Sequence, residues 1–271
     1  GKGGDIHTSV FVSQTPLPTA GLAAGGYPLV VTATDKKGFE RSSVMLVYVY
    51  TGKLLAVTAA GKPYTAIGPA MAAAAPGDAV TVGPGKWTGK DNMNLGSQGG
   101  DVVLVSEAGA DQTIIDCAGA ESAFKFIGTE HTFATVLSGF TIRNCKGGAI
   151  RVGEFAGKGA AVSIAEVILE DNSNFSPGGA VDIDGVLARV RIAASVLKNN
   201  AVSTQSGMGG AIAVLNGGSL DLLFCRLSGN KAAFGGALAV GGGGKTAEIA
   251  VGGCDFHDNF AELGGGALSS S

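Results

Sequence analysis

The clearest signal along the chain is a short-range alternation of apolar and polar positions, broken by glycine, asparagine and aspartate. Every second residue is apolar in Val162-Ser163-Ile164, Val190-Arg191-Ile192, Leu220-Asp221-Leu222 and Ile249-Ala250-Val251. The same holds in Ile150-Arg151-Val152, Val181-Asp182-Ile183, Ile212-Ala213-Val214 and Leu238-Ala239-Val240. A period of two predicts strands with one buried face. A helical period is confined to Tyr64 to Ala75, ended by Pro76-Gly77, which predicts one short helix. The short runs Asp78 to Val82 and Asp101 to Val105 follow it as strands. Nearer the N-terminus, Asp5 to Val12, Pro28 to Thr34 and Ser42 to Tyr50 predict three more.

The strands belong to a repeat. Gly-Gly-Ala recurs at Gly147, Gly178, Gly209, Gly235 and Gly265, at intervals of 31, 31, 26 and 30 residues. Ahead of the later copies stands an apolar residue, two spacers and an asparagine: Leu169 to Asn172, Leu197 to Asn200, Leu227 to Asn230 and Phe256 to Asn259. Ile142 to Cys145 and Ile114 to Cys117 fit the same frame, with cysteine in the asparagine slot. Each unit holds about three strands and cannot bury its apolar face alone. Stacked coaxially, the units share one core, with parallel strands about 4.8 Å apart. The expected fold is all-β: a right-handed parallel β-helix over residues 53–271, with the helix closing its first turn. Asn172, Asn200, Asn230 and Asn259 are then expected to form a structural amide ladder inside one bend.

Composition narrows the function. Charged residues are 15% of the 271, the formal net charge is −3, and glycine accounts for 46 residues. A chain this apolar is not disordered, and without a basic excess it is not expected to bind nucleic acid. Its longest apolar run, Val44 to Tyr50, is far short of the ~20 residues of a membrane-spanning helix. No leader follows Gly1 and the last repeat stops midway, so both ends read as cut from something longer. The four cysteines fall into two pairs. Cys117 and Cys145 share one slot, and Cys225 and Cys254 both precede the apolar anchor by two. Each pair is expected on adjacent rungs, within the ~4.4–6.8 Å Cα window of a disulfide. Two disulfides are the expectation, and two stacks of buried thiols the alternative.

The alanine-rich helix, Pro76-Gly77-Asp78, a short strand and Pro84-Gly85 resemble the start of pectin-lyase-like β-helix proteins. Asn230-Lys231-Ala232-Ala233-Phe234-Gly235-Gly236-Ala237 resembles the polymorphic outer-membrane-protein repeat, which implies adhesion or surface display. Tyr27 to Gly38 looks like the last hairpin of an immunoglobulin-like domain. Such a sandwich needs about 100 residues, so residues 1–52 read as a partial segment of one. The alanine- and glycine-rich style resembles algal flagellar-appendage or wall glycoproteins.

Outward positions after Gly-Gly-Ala form a column: Arg151, Asp182, Ala213, Ala239 and Ser269, with Asp184 beside Asp182. A second column runs Ser163, Arg191, Asp221 and Ala250. Paired carboxylates on a β-helix face can work as acid and base on a polysaccharide, so Asp182, Asp184 and Arg151 are the residues an enzyme would use. The plainer reading makes Arg151–Asp182 and Arg191–Asp221 cross-rung ion pairs on a wet surface. Asn-Thr-Asp, Gly-His-Gly and Arg-Ile-Lys signatures do not occur. Ala239 to Thr246 is a loosened phosphate-loop pattern, but an alternating strand follows where that mechanism needs a helix. Cys254 with His257 is only a fragment of a metal site, and His7 and His131 stand alone; no metal or cofactor is expected. Asn174-Phe175-Ser176 is a glycosylation sequon. The expected role is a non-enzymatic structural or adhesive module of a large extracellular protein. Its expected partners are other copies of itself, other surface or matrix proteins, or glycans. The alternatives are a polysaccharide lyase or hydrolase, and a carbohydrate-binding module without turnover.

Overall fold

The computed structural model describes residues 25–34, 36–59, 63–96, 100–128, 131–175, 177–242 and 244–270. The strand expected over Asp5 to Val12 lies outside them. From Leu54 onward the chain winds into a parallel β-solenoid of about seven turns. Four sheets run along it, named here in the order each turn visits them. Sheet I has eight strands, from Leu54–Val57 to Glu248–Gly252; sheet II has seven, from Gly85–Trp87 to Asp255–His257. Sheet III has four short strands, from Ser173–Asn174 to Phe260–Gly264; sheet IV has six, from Phe124–Ile127 to Leu268–Ser270. The alternation predicted three strands per turn. Sheet III is the addition, because its two to five residues are too short to show a period.

Register follows the repeat. Leu169 pairs with Leu197, Leu197 with Leu227, and Leu227 with Phe256. Val162, Ile164, Val190, Ile192, Leu220 and Leu222 point inward from sheet I and are buried; Val181, Ile183, Ile212 and Val214 meet them from sheet IV. Each such side chain contributes about 1.5–3 kcal/mol on burial. One turn departs from the expected frame: Ile142 pairs with Ile115 rather than Ile114. In the later turns a left-handed residue sits immediately before the ladder position: Asn144 (φ 58°), Asp171 (54°), Asn199 (56°), Gly229 (64°) and Asp258 (55°). In the turn of Cys117 it comes after, at Ala118 (50°), and the frame slips by one. Asn, Asp and Gly dominate there because they tolerate that region best.

The helix is Ile67–Ala73, shorter than the stretch that predicted it. Its first turn is capped from elsewhere, with the Ile67 N–H donating to Asn92 Oδ1 at 2.9 Å. Ile67, Ala70 and Met71 plug the first turns of the core. Before the solenoid, Gly25–Thr34 and Glu40–Val49 form an antiparallel hairpin. Tyr48 seats it on the outer face of sheet I, against Ala79, Val103 and Val136, with its hydroxyl bonded to Ser138 Oγ.

Candidate functional site

Three columns of side chains and two corners carry whatever chemistry this surface has. At the corner between sheets II and III the asparagines bond rung to rung. Asn200 is fully buried; its Nδ2 donates to Leu169 O at 2.9 Å and to Asn230 Oδ1 at 3.0 Å. Its Oδ1 accepts from the N–H and Nδ2 of Asn172, both at 3.1 Å. Asn230 and Asn259 repeat the arrangement. Cys145 enters the same ladder, its N–H donating to Asn172 Oδ1, and is joined to Cys117 by a disulfide across a Cα separation of 4.9 Å.

The second disulfide expected from the spacing is not formed: Cys225 and Cys254 are free thiols. They sit at the corner between sheets I and II, in the slot Ser195 occupies one rung below. Ser195 Oγ accepts from Val167 N–H and donates to Ala193 O. The cysteines do the same work. The Cys225 N–H donates to Cys254 Sγ at 3.3 Å, and the two thiols face the carbonyls of Leu223 and Gly252. Each sulfur is thus engaged by a corner amide or carbonyl. The hydrogen bond with Cys254, with burial, pushes the Cys225 thiol up; the same bond pulls Cys254 down.

On sheet IV, Arg151 pairs with Asp182, which pairs with Ala213, then Ala239 and Ser269. Arg151 Nε lies 3.3 Å from Asp182 Oδ2. The surrounding is drier than a wet surface: Asp182 is 5% exposed. The Gly-Gly-Ala backbone packs closely beside it. A Cβ on Gly179, Gly210 or Gly236 would lie 2.0–2.1 Å from the carbonyl oxygen of the corresponding glycine in the next turn. The preceding glycines have positive φ, 79° at Gly178 and 68° at Gly209. Only residues without a side chain let the chain pass this close to the backbone of the next turn as it leads from sheet III into sheet IV. Asp182 Oδ1 is left buried with no hydrogen-bond partner. Desolvation, with Asp184 nearby and only partly offset by Arg151, pushes Asp182 up to about 6. Asp184 is exposed and accepts from Asn216 Nδ2 at 2.6 Å. The three residues an enzyme would use are therefore neighbours, but two of them form an ion pair.

On sheet I, Arg191 Nε lies 3.1 Å from Asp221 Oδ2, and its guanidinium stacks 3.7 Å from the Phe133 ring centre. Phe133 and Arg189 line two adjoining hollows of about 270 and 460 Å³. The second is completed by His131, Thr132, Lys158 and Leu187. His131 is buried, its Nδ1 3.1 Å from Thr135 Oγ1, and desolvation lowers its pKa.

Sheet II carries a charge ladder that the sequence reading missed. Asp116, Arg143, Glu170 and Lys198 follow one another in register, at 3.1, 3.7 and 2.9 Å, and Lys86 joins Asp116 at 3.0 Å. Burial would raise the Asp116 carboxyl. Hydrogen bonds from Asn144, Lys86, the Ala118 N–H and Arg143 win, holding it well below the usual carboxylate range. Part of the signal was available: Arg143, Glu170 and Lys198 each follow an apolar anchor, with alternating sign, whereas Asp116 joins them only through the one-residue slip of its turn.

Asn174 is 6% exposed, and its Nδ2 donates to Pro177 O at 3.1 Å and Gly178 O at 3.2 Å. A glycan on that nitrogen requires those bonds to be broken. The strand Glu248–Gly252 follows the loosened phosphate-loop pattern where a helix would be needed. His257 Nδ1 lies 3.0 Å from Asp258 Oδ2; among the described residues no three His, Cys, Asp or Glu side chains cluster as metal ligands. No helix among them is long and apolar enough to cross a membrane. These features define a parallel β-solenoid whose side-chain order lies mainly in its corners. No protein family, curated protein or solved structure matches the chain.

Proposed function

We propose that the chain is a non-enzymatic structural or adhesive module of a large extracellular protein, part of a surface coat, appendage or fibre. The observation that carries this reading is where the polar chemistry is placed. Asparagines, cysteines and the Gly-Gly-Ala glycines hold turn to turn, while the sheet IV column beyond Asp182 carries no titratable group, running through Ala213 and Ala239, both fully buried, to Ser269. Such a stack is a rigid spacer or display surface. The Cys117–Cys145 disulfide supports an oxidising compartment. The resemblance to the polymorphic outer-membrane-protein repeat supports surface display. The partners proposed are other copies of the protein or other matrix proteins. Electron microscopy of native material is expected to show repeating contacts, and a dispersed monomeric parent would count against a fibre.

A second reading, a carbohydrate-binding module or a polysaccharide lyase or hydrolase, is favoured by Phe133 standing between two hollows with Arg189, Arg191 and Asp221 around it. Incubation with pectic and alginate-type polymers separates the readings. Unsaturated or reducing ends that vanish in Asp221→Ala, at the hollows, or in Asp182→Ala, on sheet IV, would overturn the structural proposal. Retention on a glycan array without turnover would favour the binding module.

A further inference from the structure

Sheet IV opens with two like charges stacked in register. Lys125 pairs with Arg151 on the next rung, and each lies between two buried apolar neighbours, Phe124 and Phe126 or Ile150 and Val152, so both point outward. Like charges on facing strands repel one another. A third cation, Lys146, stands in the turn ahead of Arg151. Its side chain lies over Gly119, where an added Cβ would sit 3.6 Å from Lys146 Cε. Lys125, Lys146 and Arg151 line one hollow of about 410 Å³, together with Phe175, which is 73% exposed. That volume falls within the ~300–1,000 Å³ of small-ligand sites.

Backbone hydrogen bonds fix the floor of this hollow. Ser122 is fully buried and its Oγ donates to Gly147 O at 2.9 Å. The N–H groups of Lys146 and Gly147 donate to Ala120 O and Glu121 O, at 2.7 and 2.6 Å. The Ser173 N–H donates to Cys145 O at 2.7 Å, which anchors the segment leading to Phe175. The positive charge is only partly answered. Glu121 meets Lys125 at 2.6 Å from an exposed position. Asp182, which does not line the hollow, accepts from Arg151 Nε at 3.3 Å. Among the described residues neither Nη of Arg151 has a hydrogen-bond partner, and Lys146 has no ion pair. Three cations therefore line the hollow against one carboxylate, Glu121. That carboxyl is held below its usual range by the hydrogen bond and charge of Lys125, and by the charge of Arg151.

We propose that this hollow binds a tetrahedral oxyanion ester, a sulfate or phosphate group carried on a saccharide ring. Three cationic heads, from two strands and a turn, match the three terminal oxygens of such an ester, where a carboxylate offers two. The Nη groups of Arg151 present the fork that these oxygens accept bidentately. Phe175 offers an apolar face to the carrier ring. The inference does not rest on the function proposed above, since the site would serve a structural module and an enzyme alike.

The 271-residue protein is titrated by calorimetry with galactose 6-sulfate, galactose 6-phosphate, galactose, galacturonate and the two inorganic anions. At least one ester is expected to bind one-to-one, with an affinity that falls as salt is added, and which ester binds tighter names the source of the oxyanion. Galactose, galacturonate and the inorganic anions are each expected to bind at least about fivefold weaker. Lys146→Gln is expected to weaken ester binding about tenfold, the loss of one charge-assisted hydrogen bond. Glu121→Gln is expected to tighten it, because the one opposing charge is gone. Both side chains are exposed, and thermal unfolding of each variant checks that the fold is kept. Lys245→Gln, in the loosened phosphate-loop pattern several turns away, is expected to leave binding unchanged. No binding of either ester up to about 10 mM, an affinity that Lys146→Gln or Glu121→Gln leaves unaltered, loss of binding in Lys245→Gln, or equal binding of galactose, galacturonate or the inorganic anions would each overturn the proposal.

Discussion

Asp182→Asn removes a charge that the fold has trapped. In the native state the carboxyl is pushed up to about 6 from 3.8 by burial. Because the folded value lies above the unfolded one, ionised Asp182 opposes folding at high pH. That cost is relieved as pH falls through 6 and is gone below about 4. One pKa unit corresponds to about 1.4 kcal/mol, so at pH 8 the trapped charge costs at most about 3 kcal/mol. Asparagine keeps the shape and can still accept from Arg151, but its Nδ2 falls near the position where Oδ1 has no partner. An unsatisfied amide donor costs about 1–3 kcal/mol. The variant is therefore expected to gain about 1 kcal/mol at pH 8 and to be no better than the parent at pH 4.5. Urea unfolding midpoints between pH 4.5 and 8 test this. The parent's midpoint should rise on acidification through pH 6 more than the variant's does. A variant less stable at pH 8, with the parent's pH slope intact, would show that Arg151 fully compensates the charge and that the burial argument is wrong.

Further outcomes follow from the corners and ladders. Asn200→Ala breaks four buried hydrogen bonds and should cost about 4 kcal/mol, read as a lowered midpoint with exchange accelerated first in the turns of Asn172 and Asn230. Gly210→Ala, whose methyl would meet the Gly236 carbonyl at 2.1 Å, should disrupt stacking. Gly157→Ala, at positive φ but with open space around it, should cost only about 1 kcal/mol. Alkylation of the unfolded chain should label two cysteines without reductant and four with it. Removing the disulfide, which closes a 28-residue separation, should cost about 3–4 kcal/mol. Cys225→Ser should cost little, since serine already fills that slot at Ser195.

The parallel stack was legible because its period is written twice, in Gly-Gly-Ala and in the apolar-x-x-Asn anchor, and stacked like residues must share a spacing. Sheet III was not legible, because two residues such as Ser173–Asn174 form a strand only by virtue of neighbours about 30 residues away. The fate of Cys225 and Cys254 was not legible either. Spacing puts them on adjacent rungs, but whether sulfur meets sulfur or a corner amide depends on side-chain direction, which a repeat does not encode. The columns on sheets I and IV could be lined up by counting. The dryness around Asp182 could not, because the burial of a position that points away from the core depends on the fold around it and not on spacing.

The placement of the one covalent staple makes wear on this rod directional. Cys117–Cys145 ties two early turns together, close to the plugged end, while the later turns hold to one another through hydrogen bonds, ion pairs and packing, without a covalent tie. A later turn that opens has no covalent tie to its neighbours, whereas the turns of Cys117 and Cys145 stay joined when their packing loosens. A protease acting on weathered material should therefore leave a resistant core that retains the N-terminal turns.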